Sequence, residues 1–268
     1  MRRAGCPVHA EPAAIRQNPL HRAWRGLLGA LAFLTIVPVP TAAFAEGGFD
    51  LSPALPWFPL IGGAVGAVGG LTRLALDPLL GRGPSTAVAM SALVILTGAL
   101  HQDALADMCD GLGVRGDRTR RLAVMRDSTL GAFGVLALIL WALLLFTALE
   151  PLTDGHVLRV LVAAGATGRL AALLHGRLAP PARTEGLGAG LHVNAASTAV
   201  ASVCALAIAI AVAGPARGGL AFGVVALVAG LSAAVARSAV GGSTGDTLGA
   251  TVALAEAAVC LALLATWR

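Results

Sequence analysis

The chain has 268 residues, 57% of them hydrophobic and only 12% charged, with a mean hydropathy of +0.81. Soluble domains carry about 25% charged residues, so the composition excludes an ordinary soluble domain and calls for lipid to cover much of the surface. The net charge of +5 comes from arginine without a single lysine, gathered in an N-terminal tail and one loop. That pattern marks the cytoplasmic segments of a membrane protein and gives no support to a nucleic-acid partner.

Residues 1–25 are a polar tail with Arg2, Arg3, Arg16, Arg22 and Arg25, expected to be cytoplasmic and poorly ordered. The remainder, 26–268, reads as one integral membrane catalytic domain of all-α class. Its first apolar run, Leu27 to Val37, is stopped by Pro38 and Pro40 and is too short to span. A re-entrant or interfacial segment is expected there. The tail, this run and Ala43-Phe44-Ala45 also imitate a secretory leader with a cleavage site. Cleavage would leave the new N-terminus beside a cytoplasmic segment, which argues against that reading.

Seven longer apolar runs follow, near 54–72, 85–102, 132–150, 157–176, 193–213, 218–237 and 249–267. Each approaches or reaches the length of a tilted transmembrane helix, and their abundant Gly and Ala favour close helix packing. The expected architecture is a polytopic helical bundle of about seven spans. Segment 103–131 carries Arg115, Arg118, Arg120, Arg121 and Arg126, which sets it in the cytoplasm. Counting outward from it places 40–53, 177–192 and 238–248 on the same side. The four cysteines form no CxxC pair, so neither a metal knuckle nor a disulfide framework is indicated.

The chemistry concentrates in His101-Gln102-Asp103-Ala104-Leu105-Ala106-Asp107-Met108-Cys109-Asp110-Gly111-Leu112-Gly113. Asp103, Asp107 and Asp110 stand at i, i+4 and i+7, within an arc of roughly 60° on one helical face. Such a stripe is self-repelling, and costly beside lipid unless compensated. A divalent cation compensates it, and hard oxygen donors with room for phosphate suit Mg²⁺. The competing reading is a solvated helix end emerging from the membrane. Gly111 and Gly113 permit a tight turn, and Arg120, Arg121 and Arg126 follow with Asp127. Guanidinium groups bind phosphate bidentately, although any one of these arginines also serves to hold its loop inside. Arg183 and Glu185 lie beyond a later span, and Gly245-Asp246 opens the last one. Asp246 fits equally a helix N-cap and a member of the site. His101 adjoins the acidic stripe, and a structural role suits it better than a catalytic one. No GxSxG, HExxH or P-loop pattern occurs.

Together, Asp103-x-x-x-Asp107-x-x-Asp110-Gly111-Leu112, Arg121-Leu122-x-x-Met125-Arg126-Asp127-Ser128-x-x-Gly131-x-Phe133-Gly134, Arg183-x-Glu185-Gly186-Leu187-Gly188 and Thr244-Gly245-Asp246-x-Leu248-Gly249-Ala250 resemble the cobalamin-5′-phosphate synthase family, also called adenosylcobinamide-GDP ribazoletransferase. Phe33-Leu34-Thr35 with Pro38-Val39-Pro40, and Trp57 to Gly62, match its N-terminal pattern. The resemblance implies a multi-pass enzyme of the bacterial inner membrane, Mg²⁺-dependent, with its site facing the cytoplasm. It would join adenosylcobinamide-GDP to α-ribazole or its 5′-phosphate and release GMP. Asp103, Asp107 and Asp110 would then hold metal. Those three and Asp246 would be the catalytic carboxylates. Arg120, Arg121, Arg126, Asp127, Arg183, Glu185 and Gly245 would bind substrate. Oligomeric state stays open, a homo-oligomer included. The rival readings are a CDP-alcohol phosphatidyltransferase-like enzyme, which also uses spaced aspartates, and a transporter, which predicts mid-span acids and an inverted repeat.

Overall fold

The computed structural model describes residues 19–40, 51–182 and 193–267. Its helices run in the order α1 (Pro19–Leu34), a 3-10 turn (Leu55–Trp57), α2 (Phe58–Leu80), α3 (Arg82–Leu96), α4 (Leu100–Gly113), α5 (Arg118–Val124), α6 (Ala132–Leu149), α7 (Asp154–Leu178), α8 (Ala195–Ala213), α9 (Pro215–Val240) and α10 (Gly245–Leu264). Among the described residues the only β feature is an isolated bridge between Pro181 and Ser243. The expected all-α membrane bundle is what forms, because in hydrocarbon every backbone amide must be satisfied within its own helix.

Among the described residues six segments are long and apolar enough to cross a membrane: α2 with its leading turn, α6, α7, α8, α9 and α10. The seventh expected span, 85–102, is broken. Helix α3 stops at Leu96, Gly98 and Ala99 both take φ 58°, and α4 departs at 86° to α3. Left-handed backbone at a non-glycine residue costs about 1–2 kcal/mol, so Ala99 is held there by its surroundings. One such restraint is the Ile36 amide, which donates to the Leu96 carbonyl at 2.9 Å.

The N-terminal boundary also differs from expectation. Helix α1 begins at Pro19, inside the segment read as a loose tail, and seats Gly26, Ala30 and Leu34 toward residues 51–58. It is not among the helices able to cross. The sequence signal for it is hydrophobic periodicity starting at Leu20 and interrupted by Arg22, which is exposed, and Arg25, which is half-buried.

Helix α7 is the most enclosed span and packs on α2, α8, α9 and α10. Helices α6, α8 and α9 instead turn large apolar side chains outward, including Leu136, Ile139, Leu143, Val203 and Leu227. The α2–α7 seam is made by glycine. A Cβ on Gly62 would stand 2.1 Å from the Gly165 carbonyl oxygen, and one on Gly165 would stand 2.2 Å from that of Gly62. Gly165→Val is therefore expected to lower stability by about 1–3 kcal/mol or more through overpacking. Thermal unfolding in detergent checks this, with Gly230→Ala, where nothing lies within 4 Å, as the unchanged control. Away from the acidic segments, buried Arg73 donates to Thr86 Oγ1 at 2.8 Å and to the Leu149 and Leu152 carbonyls. It staples α2 and α3 to the end of α6.

Candidate active site

The acidic helix α4 lies against α10 and α6. Close approach to α10 depends on small residues: a Cβ on Gly249 would come within 2.5 Å of the Ala104 methyl. The three aspartates of α4 do not share one environment. Asp103 is exposed, Asp107 is half-buried, and Asp110 is 8% exposed. The stripe slopes from solvent into the protein.

Asp246 joins this group from α10. Asp107 feels the negative charges of Asp103, Asp246 and Asp110 together. The N-cap reading of Asp246 is excluded by its neighbours. The N-cap of α10 is Thr244, whose hydroxyl accepts from the Thr247 amide while the Thr247 hydroxyl accepts from the Thr244 amide. This reciprocal cap leaves Asp246 in the first helical turn, where the dipole favours a carboxylate, with the Thr244 hydroxyl donating to its Oδ2 at 3.3 Å. Gly245 opens that turn with its surface exposed.

Among the described residues, neither Asp103 nor Asp107 has a basic partner within ion-pair distance. No three His, Cys, Asp or Glu side chains among them close into a cage for an ion. Mg²⁺ does not require such a cage: it is usually bound through one or two carboxylates, with waters and substrate phosphates completing the shell. Two unpaired carboxylates beside a third fit that donor set.

Asp110 is engaged differently. Its Oδ2 accepts from the Gly131 amide and its Oδ1 from the Gly134 amide, each at 2.8 Å. Sequence spacing placed Asp110 with Asp103 and Asp107, but could not show that the start of α6 would claim both its oxygens. The signal lay in Gly131 and Gly134, a glycine pair at i and i+3 opening an apolar run.

The basic segment is built on α5, capped by the Asp117 carboxylate on the Arg120 amide at 2.9 Å. Arg120 and Arg126 are exposed and Arg121 is half-buried. Arg118, which the substrate-binding set omitted, donates to the Ala182 carbonyl at 2.6 Å and lies against Gly241. There the Ser243 amide donates to Pro180 and the Ala182 amide donates to Ser243, each at 2.7 Å. The segments after α4, α7 and α9 thus converge at one end of the bundle. Asp127 turns back on its own loop, accepting from the Thr129 amide at 2.9 Å and from its hydroxyl, which holds its carboxyl below the usual range. Its expected role toward substrate has no support in this geometry. Arg183 and Glu185 lie outside the described residues.

Comparison with known proteins agrees with the motif pattern. The cobalamin-5-phosphate synthase family matches residues 26–264. A Mesorhizobium japonicum protein named adenosylcobinamide-GDP ribazoletransferase is 41% identical over 175 residues, covering 64% of this chain and 66% of the relative. Proteins of the same name from Ralstonia pickettii and Azorhizobium caulinodans are 40% and 38% identical, covering 59% and 65% of this chain. The matched part spans 62% of the Ralstonia relative's length and 68% of the Azorhizobium relative's. No solved structure matches the chain. A match from residue 26 to residue 264, taking in α4, α5 and the start of α10, makes this chain a member of the cobalamin-5-phosphate synthase family.

Proposed function

We propose that the chain is a membrane transferase that joins adenosylcobinamide-GDP to α-ribazole, or its 5′-phosphate, and releases GMP. The observation that carries this reading is the placement of Asp103, Asp107 and Asp246, from α4 and α10, within electrostatic reach of one another at the end of the bundle where the arginines of α5 also emerge. Asp103 and Asp107, which have no basic partner among the described residues, suit a metal-bound diphosphate better than they suit a folding role.

In this reading Asp103 and Asp107 would hold Mg²⁺, which when bound would supply charge neutralisation on the diphosphate. Arg120, Arg121 and Arg126 orient the phosphate oxygens, and the family motif adds Arg183 and Glu185 to the substrate-binding set. A ribose hydroxyl of the α-ribazole forms the new bond to the phosphorus next to cobinamide, and the bond from that phosphorus to GMP breaks. Asp246, at the mouth of α10, accepts the hydroxyl proton. The arginine-rich end faces the cytoplasm of a bacterial inner membrane, as the positive-inside rule requires.

The test uses the full chain in liposomes, both substrates and Mg²⁺, with GMP release as readout. Release is expected only with both substrates present, to be lost on chelation and restored by Mg²⁺. CDP-diacylglycerol is expected to be inert; transfer from it, in place of GMP release, would favour the phosphatidyltransferase rival.

A further inference from the structure

We infer that Asp110 is a positioning residue and not an ion ligand: it fixes the acidic helix α4 against the start of α6 and so sets the spacing between the carboxylates and the arginine-bearing segment. This deepens the proposed reading and rests on it for its kinetic consequence.

Three observations carry the inference. First, each Asp110 oxygen is taken by a different backbone amide, Gly131 and Gly134, at 2.8 Å. These are the N-cap and third residues of α6, a helix whose N-cap glycine has no side chain to supply a cap. Asp110 is a cap delivered from another helix, and its charge is already balanced by the amides and the dipole of α6. Turning it toward a cation would strand those amides, of which Gly134 is buried.

Second, the receiving surface is shaped for the carboxylate. A Cβ on Gly131 would stand 2.4 Å from Asp110 Oδ1, and one on Gly134 would stand 2.4 Å from Oδ2. Glycine at both positions admits the side chain. Third, the rest of the α4 terminus interlocks with the same stretch. A Cβ on Gly111 would meet Met125 at 2.5 Å, and one on Gly113 would meet Phe133 at 2.2 Å. Met125 and Phe133 bracket Arg126 and Asp127. The glycines of α4 and α6 therefore form one joint around Asp110, and the basic loop hangs from that joint. Among the described residues, no backbone amide donates to Asp103 or Asp107 as Gly131 and Gly134 do to Asp110.

The experiment compares Asp110→Asn, Gly134→Ala and Asp107→Asn in the liposome-reconstituted chain. Asp110→Asn keeps one acceptor oxygen but turns an amide group toward an amide. It is expected to lower kcat/KM about 10–100-fold with the half-saturating Mg²⁺ concentration within twofold of the parent. Gly134→Ala, which keeps the carboxylate but blocks its seat, is expected to give the same pattern, and the double variant to be no worse than the poorer single. Hydrogen exchange at residues 131–135 is expected to rise at least tenfold in Asp110→Asn, measured without Mg²⁺, and to stay unchanged in Asp107→Asn. A tenfold or greater rise in half-saturating Mg²⁺ for Asp110→Asn would overturn the inference, as would parent-like exchange. Should Asp110→Asn fail to insert, Gly134→Ala carries both measurements. If the parent chain releases no GMP, the transferase reading fails, while exchange together with Mn²⁺ binding read by electron paramagnetic resonance still decides the role of Asp110.

Discussion

Asp107→Asn is expected to reduce GMP release by on the order of 10³-fold while leaving the thermal stability of the chain unchanged or slightly raised. Asp107 occupies the centre of the acidic group, half-buried, with Asp103, Asp110 and Asp246 all acting on its charge. Asparagine preserves the volume and one coordinating oxygen but removes the unit charge. Stabilisation of transition-state charge by a bound metal is worth several kcal/mol, and about 1.4 kcal/mol corresponds to tenfold in rate. A large part of that is forfeited when the most enclosed unpaired carboxylate becomes neutral. Stability moves the other way, because the native side chain has no ion-pair partner among the described residues and stands among like charges. Activity lost as repulsion is relieved is the signature of a site retained for function. Asp103→Asn is expected to cost less, since exposed Asp103 is better screened by water. The paired measurement is initial GMP release and the unfolding midpoint in detergent. More than a tenth of parental activity in Asp107→Asn, or a large drop in its midpoint, would remove Asp107 from the centre of the mechanism.

How far the sequence carried can be judged from particular residues. The spans were legible because lipid imposes length and composition directly. The break at 97–99 was not, because hydropathy averages over Gly98 and Ala99 without registering their positive φ. The start of α1 at Pro19 was missed because Arg22 and Arg25 dominate the composition of that stretch, while the helix is settled by packing of Gly26 and Ala30 near residues 51–58. Periodicity placed Asp103, Asp107 and Asp110 on one face of α4, yet a face is defined only by what it meets. Asp110 meets the Gly131 and Gly134 amides at the start of α6, and Asp107 lies within electrostatic reach of Asp246. The ambiguity at Asp246 needed one further fact, that Thr244 and Thr247 cap α10 between them. The family motifs grouped these residues, and tertiary contact separates Asp110, seated on the amides of α6, from Asp103 and Asp107.

Arg169→Met is expected to be strongly destabilising in the membrane core, and it concerns residues that the motifs do not touch. Arg169 on α7 is 2% exposed and pairs with Glu256 on α10. The partners pack without slack: a Cβ on Gly168 would collide with Glu256, and one on Gly62 with the Arg169 side chain. Beside them is a cavity of about 30 Å³ lined in part by His101, Gln102, Arg169 and Glu256. Arg169 Nε and Gln102 Oε1 have no protein partner there, and the volume and polarity suit a bridging water. Removing the guanidinium leaves the carboxylate of Glu256 uncompensated inside the bundle, a loss of about 3–5 kcal/mol in comparable buried pairs. For a chain of this size that corresponds to a fall of roughly 10 °C or more in the unfolding midpoint. Arg169→Met with Glu256→Gln is expected to recover most of it, because the cost lies in the orphaned charge and not in the absence of the pair. The consequence reaches the site, since His101 and Gln102 form the first turn of α4 and His101 feels the charge of Arg169. The single variant should therefore lose activity in proportion to its loss of fold, and the double variant should regain both. A single variant as stable as the parent, or a double no better than the single, would show that this pair does not hold α7, α10 and the root of the acidic helix together.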